Sequence, residues 1–212
     1  MLARLYADLL SLRKENSPLI FDTDLSGNGI INYFPEKTHA IDLSRVADQV
    51  LLFDTMLETG NNGKSVDFVV DVSANELNRF FRIFADIGFE RGAFEVDLDV
   101  HVCYVISWTL KSLKNAEKIR DILVNSKFTT VRNMAIEALP FTPDPQEESQ
   151  VPNLEIDLYL NALSPEVFRV VNDTQFSFAS FIEGNHDDLE YEMRAEIWNF
   201  LEDVHNQIRA GI

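Results

Sequence analysis

With 212 residues, of which 46% are apolar and 25% charged, the chain has the make-up of a globular protein forming one large domain or two small ones. Its formal net charge of −17 repels phosphate backbones and anionic headgroups. That disfavours direct nucleic-acid binding and membrane docking, and it makes a basic protein surface the expected partner. The charge is uneven: residues 140–212 hold fifteen Asp and Glu against three Arg and no Lys, which is −12 of the −17.

The single cysteine, Cys103, forms no intramolecular disulfide and fits a reducing compartment. It stands in the apolar run 102–106, where it is expected to pack as a small hydrophobe. No run approaches the ~18 apolar residues of a membrane span. The Leu-rich start is interrupted by Arg4, Asp8, Arg13 and Lys14, so no signal-type apolar core can be drawn. A cytoplasmic location is expected.

In chain order, Leu2, Leu5, Leu9 and Leu12 form the stripe of a helix that ends at Ser17-Pro18. Residues 19–25 and 30–34 flank Ser26-Gly27-Asn28-Gly29 and read as a β-hairpin. Residues 42–56 suggest a helix with Val46, Val50, Leu51 and Phe53 inward, and residues 58–64 a polar loop. Residues 65–73 read as a strand. Residues 74–89 follow as a helix with Leu77, Phe80, Phe81, Phe84 and Ile87 on one side and Gly88 as its left-handed terminator. From Phe94 to Leu110 apolar residues alternate with polar ones, the pattern of one long strand with a wet face carrying Glu95, Asp97 and Asp99.

Residues 115–125 read as a helix with Ile119, Ile122 and Leu123 inward, whereas 128–139 is ambiguous between strand and helix. Residues 140–152, with four prolines and three acids, read as a linker or exposed loop. Residues 154–160 alternate as a strand. Ser164-Pro165 has the cap-then-proline signature of a helix start. Residues 175–182 read as another strand and 187–208 as a long acidic helix. The sum is an α+β protein, its antiparallel or mixed sheets carrying helices on one face, with ferredoxin-like βαβ units as one arrangement of them. The expected organisation is an α+β region at 1–139, a linker at 140–152 and a β-α-β-α region at 153–212.

Three segments imitate known sites. Phe181-Ile182-Glu183-Gly184-Asn185-His186-Asp187-Asp188 resembles the strand-then-GNHD element of calcineurin-like metallophosphoesterases, which would make Asn185 and His186 ligands of a two-metal centre. The Gly-Asp-x-x-Asp and Gly-His-x-His elements of that family have no counterpart here, and four histidines cannot complete the ligand set. Residues 19–26 are similar to the first motif of haloacid-dehalogenase phosphatases, which would make Asp22 a nucleophile and Asp24 a general acid. The expected hairpin, however, lacks the crossover that such a fold requires. The same residues place Asp22, Asp24, Ser26 and Gly27 at calcium-loop positions, but Gly29 and Tyr33 stand where an apolar residue and Glu belong. His101 and Cys103 share a strand face without a third, orienting group.

No catalytic residue, metal site or cofactor is therefore expected, Asp22, Asp24, His186 and Asp187 being the only metal-ligand candidates. The expected function is a non-catalytic interaction module of the inhibitor, immunity or regulatory kind. Its binding surface would comprise Glu95, Asp97 and Asp99, with Tyr104, Tyr159 and Trp198, and also Tyr33, as anchors if exposed. A metal-dependent phosphohydrolase and a nucleic-acid mimic are the alternatives.

Overall fold

Residues 1–12, 17–61, 66–107, 109–135, 154–186 and 188–210 are described by the structure, a computed structural model. They fall into two units, Met1–Asp99 with Arg169–Asp187, and Val100–Phe168 with Asp188–Ile212.

In the first unit the apolar runs Leu19–Asp22 (β1) and Phe68–Asp71 (β3) pair in parallel, Ile20 against Val69 and Asp22 against Asp71. Thr38–Ala40 (β2) pairs in parallel on the other side of β1, which gives the order β2-β1-β3. Short apolar strands with both faces covered are the mark of parallel sheets. Leu2–Ser11 (α1) contributes Ala7 to a core with Ile20, Ile30 and Val69. Val46–Asn61 (α2), Leu77–Asp86 (α3) and Phe89–Glu95 (α4) meet through Phe53, Phe80, Phe81, Phe84 and Phe89. Each such side chain contributes about 1.5–3 kcal/mol on burial. Gly88, in the left-handed conformation at φ 64°, ends α3 and lets α4 turn away at once.

The second unit holds His101–Ile106 (β4), Lys127–Asn133 (β5) and the short Leu158–Leu160 (β6), parallel and in that order. Leu110–Ile122 (α5) connects β4 to β5; Thr109 caps it by accepting from the Ser112 N–H. Pro165–Val171 (α6) starts behind its Ser164 cap and runs from this unit into the first, where Phe178–Ile182 (α7) follows. Tyr191–Ala210 (α8) buries Ile197, Phe200, Leu201 and Val204. Its Gln207 accepts from the Tyr159 N–H at 2.7 Å and donates to the Tyr159 carbonyl at 2.9 Å. One side chain thereby satisfies backbone groups on the β6 edge that would otherwise invite another strand.

The sheets correct the expected fold class: among the described residues this is a mixed α/β protein with two small all-parallel sheets, not an α+β protein with antiparallel or mixed ones, and no ferredoxin-like unit is formed there. Four local readings fail for identifiable reasons. The hairpin is absent because Ile30–Asn32 forms a 3-10 turn, its middle residue Ile31 tied to Asp22, and β1 takes partners from farther along the chain. The seventeen-residue strand is absent because its alternation adds up the end of α4, a turn and β4. Asp97 adopts φ 59°, the Leu98 N–H returns to the Ala93 carbonyl, and the strand among the described residues is 101–106.

Within 175–182 the strand gives way to α7 because Ser177 caps a helix there and Phe178 and Phe181, three apart, are both buried. In α2 the expected inner residues Val46, Val50 and Leu51 are 71%, 50% and 45% exposed, whereas Leu52, Phe53 and Met56 are buried. That helix is apolar on two sides, so periodicity alone chose the wrong one. The ambiguous 128–139 segment is a strand to Asn133, and the expected 140–152 linker lies outside the described residues. Among the described residues no helix is long and apolar enough to cross a membrane.

Candidate binding crevice

From β1 the chain steps to one side for β2 and then to the other for β3, so strand order reverses at β1. In open parallel sheets ligand crevices lie outside the carboxyl ends of strands at such a reversal. A cleft of about 190 Å³ opens here, lined by Thr23, Asp24 and Ser26 after β1, Asp42 and Leu43 after β2, and Glu76 after β3, together with their neighbours.

Backbone and short side chains shape it. The Thr23 hydroxyl donates to the Asp71 carbonyl and accepts from the Ser73 N–H at 2.9 Å, stapling the ends of β1 and β3. Asp24 accepts from the Ser26 N–H at 2.8 Å. Asp42 accepts from the Ser44 N–H at 2.9 Å and hydroxyl at 2.6 Å. In each case the serine hydroxyl first, then its N–H, holds the carboxyl below its ordinary range, so both stay ionised well into acid. Glu76 meets Arg79 at 2.7 Å.

Beneath the loop lies a second pair of acids. Asp22, 1% exposed, accepts from the Asp24 N–H at 2.8 Å and the Ile31 N–H at 3.0 Å, so both its oxygens anchor the loop and it does not line the cleft. The loop passes so close that a Cβ on Gly29 would stand 2.0 Å from the Asp22 Oδ2. Asp71, its register partner, is pushed up by burial and then by the Asp22 charge. The Met1 amino group opposes that rise and is itself lowered by burial.

Ionising a carboxyl whose folded pKa is raised costs stability. The cost is absent below the ordinary value and grows as pH rises through the raised one. Asp71→Asn removes it, and the amide oxygen still accepts from the Ile30 N–H. The variant should therefore melt higher than the parent at neutral pH, with the gap closing by about pH 4. Thermal melts across that range check it, and a gap that widens in acid would contradict the assignment.

Of the metal-ligand candidates, the described Asp22, Asp24 and His186 are not gathered. Asp22 and Asp24 stand at the end of β1. His186 packs on Phe176 at 4.9 Å and on Phe181, and Asp187 lies outside the described residues. Among the described residues no three His, Cys, Asp or Glu are placed to hold a metal ion.

Glu95, Asp97 and Asp99 are all exposed, with Glu95 paired to Arg91 at 3.0 Å. They belong to the end of α4 and the turn after it, not to the wet face of a strand. Tyr33 is half-buried over the Arg4 guanidinium. In the second unit Tyr159 and Trp198 are exposed, whereas Tyr104 is buried and donates its hydroxyl to the Ser112 carbonyl at 3.2 Å. An anchor needs exposure, so Tyr104 cannot serve as one.

His101 Nε2 lies 2.7 Å from the Thr129 hydroxyl and 3.6 Å from the Cys103 sulfur. Burial, then Lys127, lowers the imidazole's pKa. Because Thr129 occupies the ring nitrogen that faces the thiol, it competes with Cys103 instead of orienting the base from the far side.

Sequence reasoning passed over Asp42, Glu76 and Ser73, whose only signals were Asp-x-Ser and Ser-x-x-Glu turns. No family model matches the chain, and no curated protein or solved structure is similar to it; the crevice is read on its own chemistry.

Proposed function

We propose that this chain is a non-catalytic acidic interaction module that binds a basic segment of a partner protein, with its contact centred on the crevice of the first unit, in a cytoplasmic setting. The observation that carries the reading is the lining: Asp24, Asp42 and Glu76 beside the exposed apolar Leu25, over a floor closed by buried Ile41 and Leu43. Lys and Arg bury apolar stems and present charged heads, so this combination suits them. The net charge of −17 adds long-range attraction for a basic surface, and Glu95, Asp97 and Asp99 extend the negative potential of the same unit. A protein that itself binds nucleic acid is one class of basic partner, so the same test covers a nucleic-acid mimic.

Capture from lysate by the immobilised chain, at low and then high salt, tests the proposal. A basic protein should be retained at low salt, and the variant carrying Asp24→Asn, Asp42→Asn and Glu76→Gln should lose it by about tenfold or more in affinity. Capture indifferent to both salt and the triple variant would sink the reading.

One observation favours a second reading. Asp22 and Asp24 stand at the carboxyl end of the central strand of a parallel sheet, so the hairpin argument against a metal-dependent phosphohydrolase no longer applies. The engagement of both Asp22 oxygens by backbone N–H groups ranks that reading second. Hydrolysis of generic phosphate esters with Mg²⁺ or Mn²⁺, abolished by Asp22→Asn, would put it first.

A further inference from the structure

A sheet edge carries backbone N–H and C=O groups that need partners. On the β6 edge the Gln207 side chain takes both backbone groups of Tyr159. The β3 edge has no such cover. There β1 bonds every second residue: the Leu19 N–H donates to the Asp67 carbonyl and the Thr23 N–H to the Asp71 carbonyl, both at 3.0 Å. These groups alternate sides along a strand, so Phe68, Val70 and Val72 direct theirs away from β1, and β3 is last in the order β2-β1-β3. Among the described residues no hydrogen bond engages them. The chain stays alongside β1 past Val72, because the Ser73 N–H reaches the Thr23 hydroxyl.

The chemistry of this edge specifies its occupant: groups in strand spacing are satisfied by another extended backbone. Phe68, Val69 and Val70 are strong strand formers, with none of the lysines or prolines that guard an edge. Val69 packs with Ala7 and Ile20 on one face, so the half-buried Phe68, Val70 and Val72 line the other.

The row is also complementary to itself. In an antiparallel copy turned about Val70, Val70 meets Val70 and Phe68 meets Val72, apolar against apolar. On the other face Val69 meets Asp71 and Asp67 meets Ser73, so no two acids stand opposite. Turning about Val69 instead would set Asp67 directly against Asp71, and that repulsion selects the first register.

We propose that two copies of this chain pair β3 against β3, antiparallel about a two-fold axis at Val70, joining their three-stranded sheets into one. About six main-chain hydrogen bonds form across the axis. An isologous pairing of this kind closes at two copies. The contact is small beside the ~800 Å² per partner of a standard interface, so the dimer is weak and depends on concentration. The net charge of −17 on each copy opposes it, so added salt strengthens association, opposite to its effect on capture of a basic partner.

Sedimentation velocity of the full chain from micromolar to hundreds of micromolar, at low and moderate salt, should show a shift from monomer to dimer. Val70→Lys sets two ammonium groups against each other at the axis, and Val70→Glu two carboxylates. Each alone should raise the dissociation constant by about tenfold or more. Val70→Lys also lowers the overall negative charge, which would favour any non-specific association. Mixed in equal amounts, the two variants set an ammonium against a carboxylate and should pair more tightly than either alone. Circular dichroism confirms that each variant keeps its fold. Amide exchange of the parent needs no substitution: at high concentration it should slow at Phe68, Val70 and Val72. A monomer under all conditions, exchange unchanged at those amides, a dimer indifferent to both substitutions, or a mixture no tighter than its components overturns the proposal.

Discussion

Asp8→Ala is expected to lower the unfolding free energy by about 3–5 kcal/mol, the cost of leaving a buried charge without its partner. Arg4 and Asp8 stand one turn apart on α1, both buried, with Nε and Oδ2 4.0 Å apart. The Arg4 guanidinium donates to the carbonyl oxygens of Val171 and Phe176 and lies 4.0 Å from the centre of the Tyr33 ring. Burial lowers its pKa and Asp8 opposes that lowering, so Asp8 is part of what keeps the cation in place.

Asp8 also accepts from the Ser177 hydroxyl at 2.6 Å and the Phe178 N–H at 3.0 Å, joining α1 to a segment some 170 positions later. Alanine would strand the guanidinium and a buried N–H together. Urea unfolding of Asp8→Ala, Arg4→Met and the double variant measures it. The single losses should exceed additivity, with a coupling above about 1 kcal/mol. A loss below about 1 kcal/mol for Asp8→Ala would mean that the pair contributes no more than a surface bridge.

The second large effect is expected from Phe84→Ala, at about 3–5 kcal/mol. Phe84 is buried on α3, its ring 5.1 Å from Phe89, 5.9 Å from Phe81 and 6.2 Å from Phe80; Phe53 of α2 touches Phe80 and Phe89. Truncation opens a cavity where three helices meet, and rings packed on one another leave little that can collapse into it. Phe84→Leu keeps most of the volume and should cost about 1.5 kcal/mol or less. Chemical denaturation of the pair separates lost volume from lost aromaticity. Equal losses would show that ring geometry, and not filling, holds the cluster.

Elements whose signals are local were legible beforehand. The Leu stripe of α1, the Phe face of α3, the Gly88 stop and the Ser164-Pro165 start of α6 all depend on neighbours within one or two turns, and each appears in the structure. Residues 94–110 and 175–182 show where that logic fails: alternation of apolar residues is compatible with more than one backbone. Asp97 at φ 59° and the Ser177 cap selected it. The candidate crevice was half-visible. Asp24 stood out within an Asp-x-Asp run, but Asp42 and Glu76 join it only because β2 and β3 flank β1.

By itself the sequence determined the charge balance and its concentration after residue 140, the single thiol, and the helices whose apolar period and caps agree, because each of these is a property of composition or of contacts a few residues apart. The tertiary structure decided strand direction, which face of α2 is buried, and which carboxylates share a cleft. Those outcomes turn on pairings such as Asp22 with Asp71 and on the Arg4–Asp8 junction with residues 171–178. Partners 49 to about 170 residues apart are selected by the burial they gain together, and no local pattern encodes that gain.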